Sequence, residues 1–339
     1  MPVLCKKNKN AEEFQTEGLG EESSCLLPNF QFGTPEYLSK IRKNSSVKQL
    51  CCPKFTDNDK QGGRMKKFFQ AQAITFLSAA MLFFVTDLAQ AEETSDFWFQ
   101  KGLEDARKGQ SDQAIAHYTK AIELNAQNSA AYINRGLAWH QKKEYEKAIA
   151  DYDKSLELKP DNPAGYNNRG LAWAQKKEYE KAVADYTHAI DLEPGFAQAW
   201  FNRGNAWDEK GEDAKAIADY TRAAELEKDY ARAYYNRGII LFEKGEVDSA
   251  IADFTKVTKI DTGFAQAWYS RGIAWFKKED LDRAIADFTK ALEIDPKYAE
   301  AYYNRGIAWA GKGDYDRGIA DYTKAIEISP RAEWIKKRF

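Results

Sequence analysis

The chain has 339 residues, 50 Lys and Arg against 52 Asp and Glu, a formal net charge of −2, and aromatic side chains at 14% of positions. A disordered chain would lack those aromatics, and a collagen-like chain would carry glycine at every third residue. Near-neutral charge gives no support to binding along a phosphate backbone, which takes an excess of cations, so no nucleic-acid partner is expected.

Residues 1–64 hold all four cysteines, Cys5, Cys25, Cys51 and Cys52, and show no sustained helical or strand periodicity. Residues 65–91 are different in kind. Met65-Lys66-Lys67 leads into an apolar run from Ala73 to Val85, followed by Ala89-Gln90-Ala91. A basic start, an apolar core and small residues at −3 and −1 are the parts of a secretory signal peptide, and Ala89 and Ala91 place its cleavage after Ala91. The run is shorter than the roughly 20 apolar residues that a spanning helix needs. Such a signal works at an N-terminus, and Gln61-Gly62-Gly63-Arg64 just ahead of Met65 is compatible with the purine-rich codons of a ribosome-binding site. Residues 1–64 are therefore expected to be translated upstream sequence or a disordered extension. The alternative is a cytoplasmic segment ahead of an uncleaved membrane anchor. The mature chain would be 92–339, with no cysteine, 38 basic and 43 acidic residues. Its expected location is the periplasm. An uncleaved signal would instead anchor it in the inner membrane, the one case in which a membrane contact is expected.

From residue 95 a period of 34 takes over. Asn-Arg-Gly recurs at 134–136, 168–170, 202–204, 236–238 and 304–306, with Ser270-Arg271-Gly272 in the remaining slot. With that glycine as position 8, seven units cover 95–128, 129–162, 163–196, 197–230, 231–264, 265–298 and 299–332. Positions 4, 8 and 11 hold an aromatic, glycine and usually tryptophan, as in Tyr132, Gly136 and Trp139, a spacing that predicts one face of a first helix. Positions 20, 24 and 27 repeat the spacing with Ala182, Tyr186 and Ala189 on a second helix. Pro160, Pro194, Pro296 and Pro330 stand at position 32, where a helix must stop.

This in-phase series of aromatic, Gly, aromatic, Ala, aromatic and Ala resembles the tetratricopeptide repeat family. The resemblance covers nearly all of the expected mature chain. It implies an all-α fold, a right-handed superhelical solenoid of antiparallel helix pairs with a concave and a convex face. Asp105 in unit one and Gly318 in unit seven depart from the pattern, as terminal units tend to.

Position 7, on the packing stripe, is Arg135, Arg169, Arg203, Arg237, Arg271 and Arg305. Position 23 is Asp151, Asp185, Asp219, Asp253, Asp287 and Asp321 in the same six units, and unit one changes both, to Lys101 and His117. A charge near a packed face costs several kcal/mol unless it is paired, so an Arg–Asp pair is expected in each of six units, within a unit or between neighbours. The alternative is a row of cationic ligand contacts.

Position 6 is Asn134, Asn168, Asn202, Asn236 and Asn304, interrupted by Ser270. The resemblance implies that this position faces the concave groove, and the row is similar to the asparagine ladder of the O-linked N-acetylglucosamine transferases. An amide donates and accepts, so such a ladder can hold an extended peptide backbone, or it can bond locally between helices. Positions 5 and 12 add Phe201, Tyr235, Tyr269, Tyr303, Phe242 and Phe276. These are candidate groove anchors concentrated on units four to seven, or inter-repeat packing.

His117, His140 and His188 show no metal-ligand spacing, and no nucleophile motif or phosphate loop occurs after residue 91, so neither an enzyme, a metal nor a cofactor is expected. Residues 333–339, with Trp334, Ile335 and Lys336-Lys337-Arg338, form a short cap or a surface for self-association. The expected function is an exported, non-enzymatic scaffold that binds a protein or extended peptide in its concave groove. The alternatives are a structural subunit of a secretion, pilus or polysaccharide-export assembly, using its convex face or ends, and a membrane-anchored scaffold.

Overall fold

The computed structural model describes residues 94–330; residues 1–64, the expected signal with Ala89 and Ala91, and the expected cap at 333–339 lie outside the described residues. Among the described residues there are fourteen helices in seven pairs: α1 (Ser95–Arg107) and α2 (Ser111–Leu124), α3 (Ser129–Gln141) and α4 (Tyr145–Leu158), α5 (Pro163–Gln175) and α6 (Tyr179–Leu192), α7 (Ala197–Glu209) and α8 (Asp213–Leu226), α9 (Ala231–Glu243) and α10 (Val247–Ile260), α11 (Ala265–Lys277) and α12 (Leu281–Ile294), and α13 (Ala299–Gly311) and α14 (Tyr315–Ile328). Each helix packs on its pair mate and on the next helix in the chain, which makes an all-α solenoid. First helices also approach the first helices of adjacent units, whereas second helices do not come as close to one another. The first helices therefore line the inner, concave side.

What draws each pair together is the glycine at position 8. A Cβ on Gly204 would lie 2.8 Å from Cε1 of Tyr220, and one on Gly238 would lie 2.8 Å from Cε1 of Phe254. Only a bare backbone admits the ring from the second helix at that depth. Tyr118, Tyr152, Tyr186, Tyr220, Phe254 and Phe288 fill this slot and are fully buried.

The turn inside each pair needs a left-handed residue. Gly109, Gly211, Gly245 and Gly313 take φ between 72° and 85°, but Lys143, Lys177 and Glu279 adopt φ of 62°, 63° and 65° without that freedom.

Helix entry divides the array. Asn128 and Asn162 cap α3 and α5 by accepting from the backbone N–H of Ala131 and Gly165, at 3.0 and 3.1 Å. Units four to six have no side-chain cap where the next first helix begins. There, Tyr230, Phe264 and Tyr298 instead stack on Phe201, Tyr235 and Tyr269, with centroids 5.0, 4.9 and 4.8 Å apart. A cap and an aromatic pair are each worth about 1 kcal/mol, so one local fastening replaces another of similar size.

Candidate functional site

The six arginines of position 7 meet the six aspartates of position 23 within their own units. Nε donates to Oδ2 and Nη2 to Oδ1 in parallel, at 2.6–2.9 Å throughout. The third nitrogen reaches back to the preceding unit. Nη1 of Arg135, Arg203, Arg237, Arg271 and Arg305 donates to the hydroxyl of Thr119, Thr187, Thr221, Thr255 and Thr289 at 2.9–3.1 Å. Arg169 uses Asp153 instead, at 2.6 Å. Each guanidinium also lies over the ring at position 4 of its own helix, 4.8–5.6 Å from the centroid. The hydrogen bond to Asp151 raises the pKa of Arg135, and that to Asp253 raises the pKa of Arg237. Burial raises the pKa of Asp287 against the pull of Arg271. With their donors committed to the fold, these arginines do not form a row of ligand contacts.

Unit one replaces the node as a set. His117 Nδ1 lies 2.6 Å from Asp105 Oδ2, and the imidazole packs on Trp98 with centroids 5.2 Å apart.

The inner-face asparagines do not behave alike. Asn202 Nδ2 donates to Asn167 Oδ1 at 2.9 Å, Asn304 Nδ2 to the hydroxyl of Tyr269 at 2.7 Å, and Asn236 Nδ2 to Asn205 Oδ1 at 2.9 Å. Ser270 takes the same role, its hydroxyl 3.3 Å from that of Tyr235. Each of these contacts crosses from one unit to the next. Asn202 and Asn304 are buried, so they are corrected from groove contacts to inter-unit fasteners. Phe201, Phe242, Tyr269 and Tyr303 are buried as well, because the aromatics of positions 24 and 34 stack on position 5 and the following unit covers position 12. They are core side chains rather than groove anchors. Tyr235 and Phe276 are half-buried in the same cluster.

Units two and three differ. Asn134 turns back on its own helix, donating to Ala130 C=O at 2.8 Å, and Asn168 makes no hydrogen bond among the described residues. The preceding position 5 explains both: it is Phe99 for Asn134 and Ile133 for Asn168, and neither side chain accepts a hydrogen bond. Both asparagines stay half-exposed, flanked by half-exposed Leu103, Leu137 and Leu171 at position 9. The section of inner face whose position-6 asparagines make no bond to the preceding unit is thus units two and three, not four to seven.

Sequence reasoning passed over Asn167, at position 5, where units four to seven have aromatics. The signal was the doublet Asn167-Asn168, found in no other unit.

Profiles of the tetratricopeptide repeat match residues 99–163, 163–196, 209–245, 231–263, 265–298 and 299–331, well over half of the sequence. The chain belongs to the tetratricopeptide repeat family. As a tetratricopeptide repeat array it is a scaffold for protein interaction. Among curated proteins no sequence matches it. Among solved structures it is similar to YrrB, described as a TPR protein with an unusual peptide-binding site, at 29% identity over 56% of this chain and 97% of that one, TM-score 0.48. A tetratricopeptide repeat protein from Parabacteroides merdae shares 22% identity over 72% of this chain and 96% of that one, TM-score 0.52. Pseudomonas aeruginosa PilF shares 20% over 61% of this chain and 94% of that one, TM-score 0.55.

Among the described residues of the array, no cluster of His, Cys, Asp and Glu could hold a metal ion, and no helix is long and apolar enough to cross a membrane.

Proposed function

We propose that this chain is an exported interaction scaffold that holds an extended polypeptide against the inner face of units two and three. The observation that carries the reading is the break in the fastening. Position 6 is tied to the preceding unit at every junction from the third unit onward, whereas Asn134 and Asn168 are not so tied. Half-exposed leucines beside half-exposed amides suit a polypeptide, which offers apolar side chains and a main chain that both donates and accepts. Export rests on the pattern from Met65-Lys66-Lys67 through Ala73–Val85 to Ala89 and Ala91.

A photo-crosslinking residue placed at exposed Ala164, on the first helix of unit three, tests the binding face in the native cell. The expected outcome is one discrete adduct that fades when Asn134 and Asn168 both become Ala, while a crosslinker at exposed Lys154 on a second helix gives none. Equal adducts from both sites, or an adduct indifferent to the two substitutions, would overturn the inner-face assignment. Intact mass of the soluble envelope fraction tests export: a species beginning at Glu92 is expected, and a species retaining Met65 would mean that the segment is not removed.

A further inference from the structure

Four polar side chains form an ordered relay that ends at the open section. The Tyr230 hydroxyl donates to Gln198 Oε1 at 2.7 Å, Gln198 Nε2 donates to Asn202 Oδ1 at 2.9 Å, and Asn202 Nδ2 donates to Asn167 Oδ1 at 2.9 Å. Each link sets the direction of the next, because an amide whose oxygen accepts on one side must present its nitrogen on the other. Asn167 is therefore held with its oxygen committed and its Nδ2 left over. That side chain is only 4% exposed, yet its N–H groups have no acceptor among the described residues and are not sealed from solvent. Because solvent reaches that donor, an acceptor arriving from outside takes the place of water at an N–H group whose direction is already set.

On the neighbouring first helix the orientation is opposite. Asn134 spends its Nδ2 on Ala130 C=O, which leaves Oδ1 as an acceptor. The section thus offers a fixed acceptor in unit two and a fixed donor in unit three. An extended main chain presents an N–H and a C=O on the same side at every second residue, about 6.6 Å along the strand, so one strand edge supplies partners for both an acceptor and a donor.

Resting on the peptide-binding reading above, we propose that Asn167 Nδ2 donates to a main-chain carbonyl of an extended polypeptide ligand, that Asn134 Oδ1 accepts from a main-chain N–H, and that Tyr230, Gln198 and Asn202 are positioning residues that fix the donor's direction. Tyr230 acts on binding from the end of unit four without touching the ligand.

The test follows the side-chain amide resonances of the full chain, labelled with nitrogen-15, during titration with the uncharged hexapeptide Ac-Ala-Ser-Ala-Ser-Ala-Ser-NH2. The expected result is a saturable shift of the Asn167 NH2 protons while those of Asn202 stay put. Asn167→Asp keeps the acceptor for Asn202 but removes the donor, and is expected to weaken the probe at least tenfold. Tyr230→Phe keeps the ring on Phe201 and is expected to weaken it about threefold to tenfold, with the Asn167 amide protons exchanging faster and the unfolding midpoint little changed. Probe shifts at Asn134 and Asn168 with Asn167 silent, or full affinity in Asn167→Asp, would overturn the relay assignment and leave the inner-face reading standing. Shifts at none of the three asparagines would overturn both. A response to sodium acetate equal to that of the peptide would overturn the main-chain assignment in favour of an anion.

Discussion

Arg237 and Asp253 face each other inside unit five through two parallel bonds, 2.8 Å from Nε to Oδ2 and 2.6 Å from Nη2 to Oδ1, while the same guanidinium donates to Thr221 of unit four. One side chain therefore fastens a helix pair and the junction behind it.

Removing one partner leaves the other charge buried and unpaired. Arg237→Met and Asp253→Leu are each expected to cost about 3–5 kcal/mol, and the double substitution distinctly less than the sum. Urea denaturation of the four proteins in the cycle measures this; additive losses would mean that the pair carries no coupling.

The closeness of ring and backbone predicts the outcome at position 8. Gly170→Ala would place a methyl 2.7 Å from Cε1 of Tyr186, a distance that real side chains do not keep. The expected loss is about 1–3 kcal/mol, because the buried ring has little room to retreat. A melt unchanged within a few tenths of a kcal/mol would show that the slot is looser than this spacing.

His140 is buried on the inner side of unit two, and burial depresses its pKa to about 4. In the unfolded chain the same group titrates near 6.5, so between these values the unfolded state binds the proton and the folded state does not. Stability is thus full above about pH 6.5 and declines as pH falls toward 4, by up to about 3 kcal/mol. Comparing the native chain with His140→Leu at pH 7 and pH 4.5 checks it. The variant is expected to lose less stability over that interval, and equal losses would remove His140 as the cause.

Lys177 takes a left-handed conformation where four other units use glycine. Lys177→Gly is expected to be neutral or stabilising by up to about 1 kcal/mol, since relieved backbone strain competes with the extra freedom of an unfolded glycine. Thermal unfolding measures the sign, and a clear destabilisation would mean that the lysine side chain contributes in the turn.

The asparagines separate by role. Asn202→Ala strands the buried Asn167 Oδ1, while exposed Gln198 turns to solvent, so a loss of about 1–3 kcal/mol is expected. Asn134→Ala gives up one exposed bond to its own helix and is expected to change stability by less than about 0.5 kcal/mol. Equal losses from the two would erase the distinction between fastened and open sections.

Much of the architecture was legible in the 34-residue period, because the features that build a helix pair sit at fixed spacings within one unit. Gly204 and Tyr220 are one example, Arg203 and Asp219 another. The inner face was harder to read because its partners lie one unit away and change with the residue they meet. Asn202, Asn236 and Asn304 look identical in sequence, yet their acceptors are Asn167, Asn205 and Tyr269. The aromatics of position 5 read as groove anchors or as packing for a related reason. Their companions at position 34, Tyr230, Phe264 and Tyr298, draw them into the stack, and that coincidence shows only when the two columns are read together. Asn167 interrupts the aromatic column, and a departure from a repeat carries no meaning until its neighbour across the junction is known.

The matching of position 6 to the unit before it limits how such an array can grow. Asn236 is satisfied because Asn205 stands at position 9 of unit four, a place held by leucine or isoleucine in every other unit. Inserted after unit two, a copy of unit five would bring the same asparagine against Ile133 and Leu137 and deny its amide the cross-junction acceptor it has in place. Units four and five are therefore heritable as a couple, and duplication or recombination that cuts between them breaks a seam that neither unit can mend alone. The smallest transferable piece of this protein is the junction, not the repeat.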